Sequence, residues 1–412
     1  MPKHKYVHLR KMATVPSCSI AVPSSKSESN RALIINSFAK GRLHNLSTAR
    51  DTQTLHNLLQ SKAKVMDVMD AGTTMRFLLA YYALTNQYKT LTGTERMCER
   101  PIGILVDALT EVGAEIHYLR NTGFPPVETH GFPFQKTNEI SIRGDVSSQY
   151  ISAIMMLAPT LPHGLTINLT GTVGSKPYLL MTQGLMQSFG VHASFEGDSR
   201  IVIKPGVYRP VAFSVEADWS GASYWFSFAA LAHEANIELA GLRKNSLQGD
   251  MAIMEIMKHL GVRATFSSKG LLLEKSSCSD ELEWDFSDCP DLAQTVAVVC
   301  AARGVKARFT GMESLRIKET DRIAALQKEL VKIGASMHEK RKNQWELQPA
   351  EGIESIGHAT IETYDDHRMA MAFAPLATLM NITILHPAVT DKSYPTFWDD
   401  VMKAGYEVLF KF

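Results

Sequence analysis

An α/β chain of two domains, each made of three copies of one repeat, is the fold class that the sequence predicts. Three observations lead there. At 412 residues the chain exceeds one ordinary core, since domains usually run to about 100–200 residues. A short strand-like phrase recurs six times along it. Each copy follows a polar turn and an apolar stretch that reads as a buried helix.

The phrase, an apolar residue, a small or polar one and a turn former, occurs at Leu43, Leu91, Leu169, Leu239, Phe309 and Leu385. The turns ahead of it are PSSKS, DAGTT, DVSSQ, DWSGA, DCPDL and DDHRM. With Ser24, Gly72, Ser147, Ser220, Pro290 and Asp366 as turn markers, the distances to the phrase are 19, 19, 22, 19, 19 and 19 residues. Chance does not keep five of six identical. A second, amphipathic helix follows most phrases, and Gly113, Gly190, Gly261 and Gly334 stand where a helix C-cap needs left-handed backbone.

Successive turn markers lie 48, 75, 73, 70 and 76 residues apart, so the first repeat is short. Both terminal repeats look incomplete, and the N-terminal strand is expected to complete the C-terminal domain. The expected domains are 1–22 plus 216–412, and 23–215. A continuous solenoid is the alternative, but its period is usually only about 20–50 residues.

Composition narrows the function classes. Hydrophobic residues make up 45% and charged residues 21%, as in soluble globular proteins. A net charge of +1 leaves no global basic field for nucleic acid. No apolar run approaches the roughly 18 residues of a membrane span. The opening MPKHKYVHLRKMATVP has basic residues but no apolar stretch, which predicts no secretory leader. Cys18, Cys98, Cys278, Cys289 and Cys300 are odd in number and scattered, which predicts a reducing compartment and a cytoplasmic protein. Neither a metal-ligand spacing nor a G-x-G-x-x-G fingerprint occurs, so no metal or dinucleotide cofactor is implied.

Helix N-termini carry free N–H groups and partial positive charge, so several aimed at one place form an anion site. The first turns here hold Lys26 and Arg31, Arg76, Gln149, Asp291, His367 and Arg368. Loops before the second helices add Arg100, Ser175, Tyr178, Lys318, Glu319, Arg322 and Lys392. A nearly neutral chain that reserves cations for equivalent repeat positions is built for a multiply anionic small molecule.

Blander explanations exist for each motif. PSSKSESNRA is an N-cap cluster, though capping alone needs neither Lys26 nor Arg31. DVSSQY is ordinary capping in isolation. LRIKETDR reads equally as a solvated, salt-bridged helix. A lone His367 is usually a satisfied core histidine, but Arg368 beside it weakens that explanation. GTVGSKPY lacks the spacing of a nucleotide-binding P-loop.

Taken in order, SKSxSNRA, DAGTTMR, ERPIG, SSQY, SKPY, NSLQGD, PDLAQT, KETDR, DDHRMAM and DKSYP resemble the EPSP synthase family from about Val22 to Tyr394. The resemblance implies an inside-out α/β barrel in each of two domains, with six βαβαββ-type repeats and a site in the cleft between domains. It implies transfer of the enolpyruvyl group of phosphoenolpyruvate to the 5-hydroxyl of shikimate 3-phosphate, with no cofactor and a monomeric protein. By resemblance, Lys26, Ser27, Arg31, Ser147, Ser148, Ser175, Tyr178, Asp291 and Lys318 contact shikimate 3-phosphate, and Gln149 lies between the substrates. Lys26, Gly72, Arg100, Glu319, Arg322, His367, Arg368 and Lys392 match the phosphoenolpyruvate side. Asp291, Glu319 and Lys26 match the catalytic groups.

The physics agrees with such a ring, because two phosphates and two carboxylates repel unless fixed cations and dipoles offset them. An acid among cations is better suited to base work, which favours Asp291 in that role. The chain departs from the usual family motifs at Asp70, Thr74, Phe77, Ser314 and Asp365. Asp70 adds a negative charge beside an expected phosphate site. Two rival functions remain: enolpyruvyl transfer to UDP-N-acetylglucosamine, and non-catalytic anion binding. The first usually shows a loop cysteine in glycine-rich surroundings, and Cys98 in RMCERP does not match. The second gains nothing from Asp291 and Glu319.

Overall fold

Five of the six sheets are four-stranded with the same strand order, all six contain a parallel strand pair, and in four of them a buried helix joins that pair. The structure, a computed structural model, describes residues 5–14, 17–145 and 147–411; Val146 of the DVSSQ turn lies outside the described residues. The chain divides into two compact units, Met1–Ser25 with Glu216–Phe412, and Lys26–Val215. The first division falls after Ser25 instead of residue 22. Ser25 N donates to Glu216 O, and Asp218 N donates to Pro23 O, both at 2.8 Å, so 23–25 stay with the 216–218 segment.

In the Lys26–Val215 unit, helices Lys26–Ala39, Gly72–Leu84 and Ser148–Leu157 pack on one another. One sheet runs Val65–Asp67, Tyr88–Thr92, Val127–His130, Ile116–Tyr118, the first pair parallel and the rest antiparallel. A second runs Glu139–Arg143, Leu165–Thr170, Arg200–Ile203, Ala193–Glu196 in the same pattern. The short first repeat has only the parallel pair Ala212–Ser214 and Arg42–His44. Its closing hairpin is missing because helix Arg50–Gln60 leads directly into Val65–Asp67.

In the other unit, helices Trp219–Leu231, Ala293–Arg303 and His367–Phe373 pack together. Its three sheets repeat the same strand order. Chain-distant strands close two of them: Cys18–Ala21 pairs with Asn236–Ala240, and Tyr6–Leu9 lies between Asn381–Leu385 and Val408–Lys411. The incomplete terminal repeats are thus completed by the N-terminal segment.

The arrangement is inside-out. Every residue of Trp219–Leu231 except Ser220 is buried, which its small and aromatic side chains permit without stranding charge. Strands on the outside alternate instead, as in Glu139–Arg143, where only Ile140 and Ile142 are buried. Each of the six phrases begins in a strand, its first residue being Leu43, Leu91, Leu169, Leu239, Phe309 or Leu385. Gly113 caps its helix at φ 131°, and a Cβ there would stand 2.2 Å from Phe134 O. Gly261 departs from its expected role: the helix ends at His259, and Gly261 occupies a bulge in strand Leu260–Phe266. Among the described residues, no helix is long and apolar enough to cross a membrane.

Candidate functional site

The expected site residues form two clusters, one in each unit, most of them at helix starts; Arg31 lies in the second turn of its helix, Arg100, Lys318 and Glu319 lie outside helices, and Lys392 ends the short 3-10 helix Pro387–Lys392. In the Lys26–Val215 unit, Lys26 and Ser27 begin helix Lys26–Ala39, and Gly72 begins Gly72–Leu84. Ser147 caps helix Ser148–Leu157, its hydroxyl accepting from Gln149 N at 3.4 Å. Ser175 enters helix Lys176–Ser188 at φ 54°, a turn that brings Tyr178 N to Ser175 O. Gln149 Nε2 donates to Thr73 Oγ1 at 3.1 Å, which joins the Ser147 and Gly72 helix starts.

Arg31 is 2% exposed. Its Nε donates to Thr182 Oγ1 at 2.8 Å, Nη1 to Ser27 O at 3.0 Å and Nη2 to Ser152 Oγ at 3.1 Å. The Phe77 and Tyr178 rings lie 5.5 and 5.7 Å from its Cζ. Burial pushes the guanidinium down to about 10, still charged at neutral pH. Phe77, a departure from the family motif, therefore backs a cation expected at the site. Lys26 Nζ lies 3.2 Å from Asp51 Oδ2. The Arg100 guanidinium rests on Gly72, where an added Cβ would come within 2.6 Å of Nη1. Asp70 pairs with Arg50 at 2.9 Å, which neutralises the extra charge noted in the sequence. Thr74 Oγ1 donates to Asp51 O at 3.2 Å, so this departure is also accommodated.

The second cluster centres on Arg322, first residue of helix Arg322–Val331. Nε donates to Asp366 Oδ2 at 2.7 Å, Nη1 to Asp291 Oδ1 at 3.0 Å and Nη2 to Glu319 Oε2 at 2.9 Å. Arg368 Nη2 lies 2.8 Å from Asp291 Oδ2, and buried Lys392 Nζ lies 3.7 Å from Glu319 Oε1. Burial alone would raise the Asp291 carboxyl, but Arg368, Lys318 and Arg322 outweigh it and hold it well below the usual carboxylate range. Burial opposes the Arg322 charge, and Asp366, Glu319 and Asp291 reverse that effect.

His367 and Arg368 begin their helix after Asp366, whose side chain accepts from Arg368 N at 2.9 Å. Tyr364 and Asp365 precede it at φ 52° and 55°. Such left-handed backbone suits Asn or Asp at 365, so the family departure there is conformationally mild. Tyr364 accepts the geometry because its hydroxyl donates to buried Glu329 at 2.7 Å.

Sequence reasoning did not single out Asp51, Ser152 or Thr182 as partners of the site cations. Asp366 enters there only as a turn marker. An acidic residue in the first turn of helix Arg50–Gln60 was the available signal for Asp51; the two hydroxyls gave none.

A family model described as EPSP synthase (3-phosphoshikimate 1-carboxyvinyltransferase) matches residues 45–401. A 3-phosphoshikimate 1-carboxyvinyltransferase of Bacteroides fragilis strain YCH46 is 47% identical over 409 residues, covering 97% of this chain and 99% of its own. One from Methanospirillum hungatei is 33% identical over 422 residues, covering 93% and 96%. Among solved structures, an EPSP synthase from Acinetobacter baumannii aligns with TM-score 0.78 at 19% identity, over 98% of this chain and 99% of its own. The enolpyruvyl transferase NikO from Streptomyces tendae aligns with TM-score 0.75 at 13% identity, over 100% and 99%. These two structural likenesses concern the fold.

Proposed function

The chain belongs to the EPSP synthase (3-phosphoshikimate 1-carboxyvinyltransferase) family, and from that premise we propose how its two clusters divide the chemistry. The reaction is transfer of the enolpyruvyl group of phosphoenolpyruvate to the 5-hydroxyl of shikimate 3-phosphate, with release of phosphate, in the shikimate pathway to chorismate and the aromatic amino acids. Ser27, Arg31, Ser147, Ser148, Ser175, Tyr178 and Lys318 bind shikimate 3-phosphate. Gln149 touches both substrates. Lys26, Gly72, Arg100, Arg322, His367, Arg368 and Lys392 bind phosphoenolpyruvate.

One observation carries the catalytic part: Asp291 and Glu319 grip the same Arg322 guanidinium, with Arg368 and Lys392 at their outer oxygens. A site that only bound polyanions would be weakened by two carboxylates among its cations. Asp291, held ionised, accepts the proton of the 5-hydroxyl as its oxygen bonds to the central carbon of phosphoenolpyruvate. Glu319, with Lys26, serves the methylene carbon, which gains a proton on addition and loses one on elimination. The tetrahedral ketal phosphate between those steps is stabilised by the cations.

We also propose a cytoplasmic monomer. The five cysteines are free thiols, as a reducing compartment keeps them, and the family resemblance supports a single chain. A coupled phosphate-release assay tests the reading. Release is expected with phosphoenolpyruvate and shikimate 3-phosphate, and none when UDP-N-acetylglucosamine replaces the latter. Tight binding of both substrates without phosphate release would instead establish an anion-binding protein.

A further inference from the structure

Asp250 lies outside the set of expected site residues, yet it is buried one side chain behind them. It is 4% exposed, in the turn Gly249–Ala252 that follows NSLQ. Its Oδ2 accepts a hydrogen bond from Ser220 Oγ, while its Oδ1 is buried with no hydrogen-bond partner among the described residues. Ser220 sits in the first turn of helix Trp219–Leu231, and its Oγ also receives Arg368 Nη2 at 3.5 Å. The same Nη2 reaches Asp291 Oδ2 at 2.8 Å, and Nη1 reaches Asp291 O at 3.2 Å and the Tyr224 hydroxyl at 3.3 Å.

A serine hydroxyl has one proton and two lone pairs. Once the proton is committed to Asp250, the lone pairs are left for Arg368. We propose that Asp250 is a positioning residue, which acts through Ser220 to orient the Arg368 guanidinium that receives phosphoenolpyruvate. This rests on the assignment of Arg368 to phosphoenolpyruvate made above. Burial, with the nearby Asp291 charge, pushes the Asp250 carboxyl up to about 7. An acid kept there at such a desolvation cost, with one hydroxyl as its side-chain hydrogen-bond partner among the described residues, fits orientation of that hydroxyl better than a structural ion pair.

The test is steady-state kinetics at saturating shikimate 3-phosphate, alongside thermal melting. Ser220→Ala and Asp250→Ala should each raise KM for phosphoenolpyruvate about 5- to 10-fold, the worth of one ordinary hydrogen bond, since the relay adjusts Arg368 and leaves its own contact with substrate in place. Shikimate 3-phosphate affinity should be unchanged. The double variant should be no worse than the worse single one, because both break the same relay. Asp250→Asn, whose amide oxygen still accepts from Ser220, should restore most of the KM. Additive effects, or lower melting with an unchanged KM, overturn the proposal. If Asp250→Ala does not fold, Ser220→Ala alone decides. Arg368→Ala run in parallel separates the two levels: if it leaves KM unchanged, the substrate assignment itself fails. If it raises KM while Ser220→Ala does not, only the Asp250 relay fails.

Discussion

Arg322 and Asp366 form a sealed pair: Nε meets Oδ2 at 2.7 Å and Nη2 meets Oδ1 at 3.4 Å, with 2% and 0% of the side chains exposed. Asp366 also caps the helix that starts with His367 and Arg368. One carboxylate thereby fixes the first guanidinium by charge and the second by placing its backbone.

Removing that carboxylate should be costly. Asp366→Ala leaves a buried guanidinium short of a partner, which typically costs about 3–5 kcal/mol. Urea denaturation of the variant should show a loss of that order. A loss below 1 kcal/mol would show that Asp291 and Glu319 suffice to hold Arg322.

Asp291→Asn and Glu319→Gln keep shape and remove the ionisable group. If each carboxylate moves a proton, turnover should fall about 10²–10⁴-fold with much smaller changes in substrate affinity. If they only balance charge, binding of the anionic substrates should tighten and turnover should hold. Turnover and both dissociation constants decide between these outcomes.

Arg100→Ala should chiefly weaken phosphoenolpyruvate binding and Arg31→Ala chiefly shikimate 3-phosphate binding, each by about 10- to 150-fold, the range of charged hydrogen bonds. Gly72→Ala should imitate Arg100→Ala in kind, because its Cβ would sit 2.6 Å from Arg100 Nη1 and displace that cation. Calorimetric titration with each ligand checks the split. Loss of the same ligand by both arginine variants would refute it.

Asp250 gives a pH signature. Its folded value of about 7 lies above the unfolded value near 3.9, so the folded state holds that proton more tightly. Stability from this group is full below about pH 4 and is lost as pH rises towards 7. Asp250→Asn removes this dependence, so its stability relative to the parent should climb between those pH values and then level off. Chemical denaturation across the range, read as the difference between the two proteins, measures it.

The repeat was legible in the chain because it is local: five of six helix-to-strand spacings are identical, and every marked phrase begins in a strand. The completion of the last sheet by Tyr6–Leu9 was legible too, since repeats shortened at both ends leave a place for one strand. The cations at helix starts were visible because turn chemistry and charge share the same few residues. The partners of those cations were not. Arg322 is separated from Asp366 by 44 positions and from Asp291 by 31, and Arg31 from Thr182 by 151. Helix and strand patterns are set by neighbours within a turn or a pleat, so the amino-acid order determined the units and their functional ends. Ion pairs over such separations depend on how the buried helices pack within each unit, and only the tertiary structure decided which acid faces which cation.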